Sequence, residues 1–314
     1  MDQRPLGKTG LKIAPLVLGG NVFGWTSDKA ASFAVLDAFL AAGFNAIDTA
    51  DVYSRWIPGH VGGESETVIG EWIKARGNRD QIVLITKVGQ DMGEGGKGLT
   101  AKHIAEGAEA SLKRLQTDHI DLYFSHFPDA ETPIEETLEA HQRLVDAGKV
   151  RAVGGSNYDA PGLAAALKAG EGAGRAHYGV IQPHYNLYER KSYEGPLEDL
   201  AAAEGLGVIP YFALASGFLT GKYRSEADLS KSPRGGGMKR YLGDRGHAIL
   251  TALDTVAARH QATPAQIALA WMMTRPSVTA PIASATSVDQ LTDIAKSASV
   301  KLAADDIATL DATA

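Results

Sequence analysis

Short apolar runs and amphipathic segments alternate along this chain, which predicts strands and helices in turn. In the first predicted helix, Leu36, Phe39 and Leu40 recur at helical spacing, and later segments repeat the pattern. The predicted strands are 16–20, 44–48, 81–87, 119–126, 149–157, 179–187, 207–214 and 278–284. The predicted helices are 28–42, 65–76, 100–115, 133–147, 160–169, 196–204, 247–260, 264–275 and one that starts at Ser287.

Two of these helices begin with capping signals. Thr132 and Glu135 are spaced as a capping box around Pro133, and proline suits the first position of a helix. Thr263 and Gln266 repeat the same spacing further along the chain. We therefore expect side-chain caps at both helix starts.

The strict alternation predicts an α/β fold with a parallel sheet. Eight strand–helix units in this length suit a (β/α)8 TIM-type barrel forming a single domain over residues 1–314. An N-terminal β-hairpin with turn glycines Gly7 and Gly10 precedes the first strand, and a long loop follows strand seven. The alternative is a doubly wound open sheet, which could form two domains, but no linker-like tract lies near the middle of the chain.

Composition narrows the function without naming it. The chain has 314 residues, of which 44% are hydrophobic, and its net charge of −6 argues against a nucleic-acid partner. It has no cysteine, which excludes disulfides and thiolate metal sites, and no His/Asp/Glu cluster has metal-ligand spacing. The start, MDQRPLGKTG, lacks the apolar core of a signal peptide, and no apolar run reaches the roughly 20 residues of a membrane span. We therefore expect a cytoplasmic protein with no membrane or metal site.

Polar residues follow several of the predicted strands at the point where each strand ends. Strand two ends at Asp48 with Tyr53 just beyond it, strand three ends at Lys87, and strand four ends at His126. The later strands end at Ser156 and Asn157, at Gln182 and Asn186, and at Tyr211. Because the carboxyl ends of barrel strands meet at one rim, these side chains are expected to form one site.

Each ionisable residue alone has a simpler interpretation. Asp48 could be a turn or cap residue, Tyr53 a half-buried aromatic, and Lys87 a strand-end lysine that reaches water. His126 alone could be a hydrogen-bonded core histidine. The four together favour a site, because an unpaired buried carboxylate or ammonium is costly and pairing removes much of that cost.

The pairing has a chemical consequence for the phenol. Tyrosine titrates near pH 10, which is too high for an efficient acid at neutral pH. We expect Lys87 to lower the pKa of Tyr53, and Asp48 to keep that lysine charged and in place. His126 could orient or polarise a carbonyl oxygen beside the phenol. This group suits proton delivery to an oxygen that gains charge, as in carbonyl reduction.

Six segments together resemble the aldo-keto reductase family: AIDTADVY, LITKVG, DLYFSHFPD, GGSNY, QPHYNL and SGFLTGKY. The similarity runs in family order from the N-terminal hairpin to the last helix. It implies a (β/α)8 barrel that reduces aldehydes or ketones with NADPH, less often NADH. It also implies a catalytic tetrad of Asp48, Tyr53, Lys87 and His126, with Tyr53 as the proton donor. Asp51 matches no position of this tetrad and is predicted to be a loop residue.

The resemblance also implies where a nicotinamide cofactor would bind. Ser156, Asn157 and Gln182 match positions that hold the carboxamide, and Tyr211 matches the aromatic residue that stacks on the ring. The predicted pyrophosphate loop contributes Leu214, Ser216, Gly217, Leu219 and Lys222, although a plain glycine-containing loop is the alternative. Ser284, Thr286 and Gln290 match the adenosine-phosphate region. Ser287 and Gln290 are equally well spaced as a helix cap.

A basic segment follows strand seven. Residues 222–245 hold seven Lys/Arg and three Asp/Glu in an otherwise acidic chain. Where many members of the family that this chain resembles have an arginine or a serine, this chain has Thr286, which makes the NADPH preference less secure. An arginine is the usual ligand of a 2′-phosphate, so we expect a cation from this segment to compensate. The hypothesis is a mobile flap in which Arg234, Lys239 or Arg240 reaches phosphate. A solvated disordered loop is the alternative.

The pocket for a small carbonyl substrate is predicted to be lined by Trp25, Trp56 and Phe127, since these residues follow strand ends. Trp25 and Trp56 could equally be packing aromatics beneath loops. A regulatory subunit that binds the nicotinamide cofactor as a sensor is the main alternative function. A barrel lyase or isomerase that uses the carboxylate as a base is a third.

Overall fold

The computed structural model describes residues 1–232 and 235–313. Arg234, one of the cations predicted for the flap, lies outside the described residues. The strands are β1 Arg4–Pro5, β2 Lys12–Ile13, β3 Val17–Gly19, β4 Ala46–Asp48, β5 Val83–Val88, β6 Ile120–Ser125, β7 Val150–Ser156, β8 Val180–Gln182, β9 Gly207–Val208 and β10 Ile282–Ala283. The α-helices are α1 Lys29–Ala41, α2 Glu64–Arg76, α3 Ala101–Leu115, α4 Ile134–Asp146, α5 Ala160–Gly170, α6 Pro196–Glu204, α7 Asp244–His260, α8 Pro264–Thr274, α9 Val288–Ala295 and α10 Ala304–Asp311.

Strands β3 to β10 form one parallel sheet in the described part of the chain. Its order is β10-β3-β4-β5-β6-β7-β8-β9, and every neighbouring pair is parallel. The two ends of this order are joined by further backbone bonds, from Thr279 N–H to the Val208 carbonyl at 2.8 Å and from Ile282 N–H to the Pro210 carbonyl at 2.9 Å. These bonds close the ring, so the predicted (β/α)8 barrel is confirmed.

The N-terminal hairpin closes the amino-terminal end of the barrel. β1 and β2 pair antiparallel, and Leu6 and Ile13 are fully buried. Both side chains belong to the same apolar cluster as Ile85 and Phe124 from β5 and β6. This cluster fills the barrel interior, while a larger one lies between the sheet and the helices. The two-sided burial explains why β5 and β6 are apolar along most of their length.

Three of the later strands are shorter than predicted. β8 ends at Gln182, β9 at Val208, and β10 begins at Ile282. Prolines lie next to or near each of these limits, at 183, 210 and 281. Because proline has no backbone N–H, it cannot donate to a sheet ladder, and the regular pairing stops there.

The two predicted caps have different outcomes. Thr263 and Gln266 form the expected capping box at the start of α8. At the start of α4 the prediction is wrong, because Pro133 is the cap residue and no side chain bonds to the first turn. The Thr132 hydroxyl instead donates to Asp129 Oδ2 at 2.7 Å. A nearby loop carboxylate therefore competes successfully with the helix for this hydroxyl.

The long loop after β9 is folded in the part that the structure describes. It contains 3-10 helices at Ala215–Thr220, Glu226–Lys231 and Gly235–Tyr241. The Tyr241 ring stacks on Phe218 with centroids 5.0 Å apart and meets Tyr188 edge-on at 4.8 Å. Tyr223, Met238 and Tyr241 are buried, so the loop packs at these residues, while most of its described residues from 224 to 232 are exposed or half-buried.

Candidate active site

An ion pair lies at the carboxyl end of two neighbouring strands. Lys87 in β5 is fully buried, and its Nζ lies 2.7 Å from Asp48 Oδ2 at the end of β4. The same ammonium donates to the Thr49 carbonyl at 2.7 Å, and Gln182 Nε2 donates to Asp48 Oδ1 at 2.9 Å. Burial alone lowers the pKa of Lys87, but Asp48 and Tyr53 outweigh it, so the pKa lies above its usual value. The lysine therefore stays charged at neutral pH.

The Tyr53 phenol lies against this ion pair. Its hydroxyl is 3.5 Å from Lys87 Nζ, which also sits 5.1 Å from the centre of the ring. The predicted direction of its pKa shift is wrong. Burial raises the pKa of Tyr53 above its usual value, and the Lys87 charge opposes this without reversing it. The resting phenol is thus firmly protonated at neutral pH.

His126 lies next to the phenol, directly after β6. Its ring centroid is 6.0 Å from that of Tyr53, and its backbone N–H donates to the Val88 carbonyl at 2.9 Å. Burial and the Lys87 charge hold the pKa of His126 well below its usual value. The imidazole is therefore neutral at neutral pH. The structure thus brings the four residues of the predicted tetrad together.

The residues predicted to hold a carboxamide form one network beside the tetrad. The Ser156 hydroxyl donates to the Gln182 carbonyl at 3.0 Å, and Asn157 Nδ2 donates to Ser156 Oγ at 3.0 Å. Asn157 Nδ2 also donates to the His126 carbonyl at 2.9 Å. The Tyr211 hydroxyl donates to Asn157 Oδ1 at 2.6 Å, which ties its ring to the same corner of the rim.

The predicted pyrophosphate loop has an unusual backbone. Ser216 and Gly217 have consecutive left-handed conformations, with φ of 56° and 100°. Lys222 reaches back toward this turn, because a Cβ placed on Gly217 would lie 3.6 Å from the lysine Nζ. Free amides in such turns can bind an anion, but the Gly217 N–H already donates to the Leu214 carbonyl at 2.8 Å, so an anion here would rely on other N–H groups and on Lys222. Leu219 is fully buried and Leu214 is half-buried in the core, so their side chains do not line this turn.

At the predicted adenosine end, the side chains bond mainly to one another. The Ser284 hydroxyl donates to Asn21 Oδ1 at 2.7 Å. Ser287 caps α9 by accepting from the Gln290 N–H. Gln290 Oε1 accepts from the Thr286 N–H at 3.0 Å and from the Thr286 hydroxyl at 3.1 Å. Ser287 thus acts as a cap, while the Gln290 side chain fixes Thr286.

The cations of the basic segment fall into two groups. Three have acidic partners: Lys239 lies 3.0 Å from Glu226, Lys231 pairs with Asp228 at 2.7 Å, and Arg224 pairs with Asp254 at 2.7 Å. The other described cations, Lys222, Arg240 and Arg245, lack an acidic partner among the residues that the structure describes. The Arg240 guanidinium sits 4.7 Å from the centre of the Tyr241 ring.

Arg240 lies close to the nicotinamide corner predicted from the sequence. His184 stacks on Tyr211 with centroids 5.3 Å apart. Burial lowers the pKa of His184, Glu189 raises it, and Arg240 lowers it further. The charge of Arg240 therefore acts on a histidine ring that stacks on Tyr211.

Aromatic side chains line the mouth of the site. Trp56 meets Tyr53 edge-on at 5.6 Å and Trp25 at 5.5 Å. Phe127 stacks on His126 with centroids 5.4 Å apart. Trp56 and Phe127 are 47% and 45% exposed, which is unusual for large apolar side chains. The three aromatic residues predicted for the pocket thus lie around the tetrad.

Sequence reasoning missed two residues that contact these elements. The Glu64 carboxylate accepts from the backbone N–H groups of Ser54 at 3.1 Å, Val61 at 2.9 Å and Gly62 at 3.1 Å. It therefore fixes both ends of the loop that carries Trp56. Gln90 lies against His126, with 3.4 Å between the amide and Nε2. Neither residue carries a sequence signal, because both contacts depend on how loops fold.

No group of three or more His, Cys, Asp or Glu among the described residues could hold a metal ion. No helix in residues 1–232 and 235–313 is both long and apolar enough to cross a membrane.

Comparison with known proteins agrees with this geometry. The sequence model of the Aldo/keto reductase family matches residues 15–314. The chain is 34% identical over 308 residues to a probable voltage-gated potassium channel subunit beta of Arabidopsis thaliana, covering 96% of this chain and 92% of that protein. It is 34% identical over 314 residues to the uncharacterized oxidoreductase YrpG of Bacillus subtilis, with the same coverage of 96% and 92%. It is 34% identical over 295 residues to the aldo-keto reductase YhdN of Bacillus subtilis, covering 88% and 82%.

The chain therefore belongs to the aldo/keto reductase family, whose members are NAD(P)H-dependent oxidoreductases.

Proposed function

We propose that this protein reduces aldehydes or ketones to alcohols with NADPH, and that Tyr53 supplies the proton. The observation that carries this proposal is the contact chain Asp48–Lys87–Tyr53 beside a neutral His126. Such a chain joins a protonated phenol to a permanent positive charge. It lies at the end of a parallel barrel where catalytic groups gather.

Tyr53, Lys87 and His126 have different roles toward the carbonyl oxygen because they differ in charge. As the carbonyl oxygen gains negative charge, the Tyr53 O–H donates its proton to it, and the phenolate left behind faces the Lys87 ammonium. The ammonium thus stabilises the tyrosine most strongly in the transition state. A neutral His126 can donate an N–H to the same oxygen without losing charge. When bound, the nicotinamide supplies the hydride that the carbonyl carbon accepts.

The donor set fits a dinucleotide. The left-handed turn at Ser216 and Gly217, with Lys222 beside it, suits a diphosphate. Ser156 and Gln182 would bind the carboxamide, and Tyr211 would lie on the ring. Arg240, unlike Lys239, has no acidic partner in the described part of the chain, but its charge acts on His184, which stacks on Tyr211 at the nicotinamide end of the proposed site. The choice of NADPH over NADH therefore rests on the family and not on Arg240, and assays with both nucleotides test it.

The substrate is a small carbonyl compound that is flat or apolar. Trp56 and Phe127 leave nearly half of their surface exposed at the mouth. Covering such surfaces with a flat apolar ligand is favourable.

The test is a panel of aldehydes and ketones, including 4-nitrobenzaldehyde, assayed with NADPH and NADH at 340 nm. Tyr53→Phe should lower kcat by about 100-fold or more while NADPH affinity stays within twofold. Tyr123→Phe is the matched control, because its buried hydroxyl has no partner among the described residues. Retained reduction by Tyr53→Phe would remove the assigned acid role.

A second candidate is a regulatory subunit that binds the nicotinamide cofactor with little turnover. The observation in its favour is the 34% identity to the Arabidopsis protein, whose name describes a probable potassium channel subunit. Tight binding of NADPH without turnover of any compound in the panel would favour it. Failure to bind either nucleotide would contradict both candidates.

A further inference from the structure

The two ring nitrogens of His126 have different surroundings. Nδ1 is buried and has no hydrogen-bond partner among the described residues. His126 Nε2 lies 3.4 Å from Gln90 Nε2, the nitrogen of the side-chain amide. Gln90 lies just beyond β5, the strand that also carries Lys87, and β5 pairs with β6, which leads into His126. The contact is therefore set by two adjacent strands of the barrel.

These surroundings favour one tautomer. A neutral imidazole carries one N–H, and the ring is neutral because burial and Lys87 lower the pKa of His126. A proton on Nδ1 would be a buried N–H with no acceptor, which is destabilising. A buried lone pair without a donor is tolerated more often than an orphaned N–H. The proton therefore belongs on Nε2.

An Nε2–H needs an acceptor, and Gln90 can supply one. The structure places the amide nitrogen of Gln90 toward the ring, but the nitrogen and oxygen exchange places when the amide turns over, and an Nε2–H requires the oxygen. The other titratable groups facing this ring are Lys87, from β5, and Tyr53, from the loop after β4. Lys87 is a charged donor and Tyr53 a protonated phenol, so Gln90 is the neutral side chain suited to accept from Nε2.

We propose that Gln90 is a positioning residue: its side-chain carbonyl accepts the Nε2–H of His126 and holds the ring in the tautomer that donates to the substrate. The amide atom that faces Nε2 is 3.4 Å away, which is long for a hydrogen bond, so a substrate oxygen can replace Gln90 at little cost. The inference rests on the proposed function, in which His126 donates to the carbonyl oxygen. The state of the ring can nevertheless be measured without any turnover.

The first test is NMR of protein with 15N-labelled histidine, without cofactor or substrate. The chain has nine histidines, so His126→Asn is needed to assign the signal. We expect a neutral Nε2–H ring in the wild type from pH 6 to pH 8. Gln90→Glu should raise the pKa of His126 by about one unit or more, because a carboxylate would then face Nε2. An Nδ1–H ring, or an unchanged pKa in Gln90→Glu, would overturn the proposal.

The second test is kinetic and uses an isosteric variant that cannot accept a hydrogen bond. Gln90→Met should lower kcat about tenfold, with NADPH affinity unchanged, because the ring loses its preferred orientation. Gln90→Glu should add an inflection to the pH profile of kcat/KM that the wild type lacks. Gln142→Met is the control, since Gln142 bonds only to the exposed Asp146 on α4.

The two tests separate the two proposals. If the wild type reduces no carbonyl compound, the proposed function fails, and the NMR result still decides the role of Gln90. If the wild type is active and Gln90→Met matches it in kcat and pH profile, the positioning role is wrong and the proposed function stands.

Discussion

The two ends of this barrel differ in the polarity of their buried side chains. At the amino-terminal end, the hairpin places Leu6 and Ile13 against the interior, and both are fully buried. At the carboxyl end, the side chains of Asp48, Lys87 and Gln182 are also buried, but they are polar. The apolar end gains stability from each buried side chain. The polar end keeps its stability only because every charge has a partner.

The difference separates stability from chemistry along the barrel axis. Changes at the hairpin should alter the free energy of unfolding and leave the site intact. Changes to the ion pair should alter both, because the same contacts hold the charges and tune the phenol. The following predictions test this separation, from the largest effect to the smallest.

Lys87→Met should lower the free energy of unfolding by about 3–5 kcal/mol, because Asp48 is left buried and unpaired. Urea unfolding followed by circular dichroism measures the loss. The double variant Asp48→Asn/Lys87→Met should recover at least half of it, since Gln182 can still donate to the asparagine oxygen. Both variants should be inactive. A single variant as stable as the wild type would contradict the account of the polar end.

Leu6→Ala should lower the free energy of unfolding by about 2–4 kcal/mol, because it leaves a cavity in the barrel interior. The kcat of the folded variant should equal that of the wild type, since Leu6 lies at the opposite end from Tyr53. Urea unfolding and steady-state assays on one preparation measure both. A kcat that falls with stability would mean that the two ends are coupled.

Asp51→Asn should remove a slope of about 1 kcal/mol per pH unit from the stability profile. Burial and Glu66 raise the pKa of Asp51 from 3.8 to about 8, against the opposing charge of Arg114. Between these values the native state holds a proton that the unfolded state has lost, so stability falls as the pH rises. Urea unfolding at several pH values between 5 and 8 measures the slope. Parallel profiles for the two proteins would show that Asp51 does not titrate in this range.

Most of the fold could be predicted because it depends on local patterns. Short apolar runs indicated the strands, apolar residues at helical spacing indicated the helices, and counting strand–helix units gave the barrel. Strand lengths were overestimated because apolar character extends past prolines that end the ladder. The helix cap at Thr132 failed because the competing carboxylate, Asp129, comes from the loop just before it.

The tetrad residues were predictable from strand ends, but their electrostatics were not. The pKa of Tyr53 depends on how much water surrounds the phenol, which spacing along the chain does not reveal. The same holds for Asp51, which lies in a loop as predicted and is nevertheless only 3% exposed. Gln90 and Glu64 were missed because their contacts join loops from different strands and helices.

The Glu64 carboxylate holds the loop at the mouth of the site through backbone groups, so the side chains of that loop can change without losing these contacts. It bonds to backbone N–H groups at residues 54, 61 and 62, and any residue except proline offers such a group. The contacts with Glu64 therefore do not depend on which side chains lie between residues 54 and 62, and Trp56 is one of these side chains. A protein engineer could replace this stretch to admit a different carbonyl compound while the ion pair beneath it keeps its geometry.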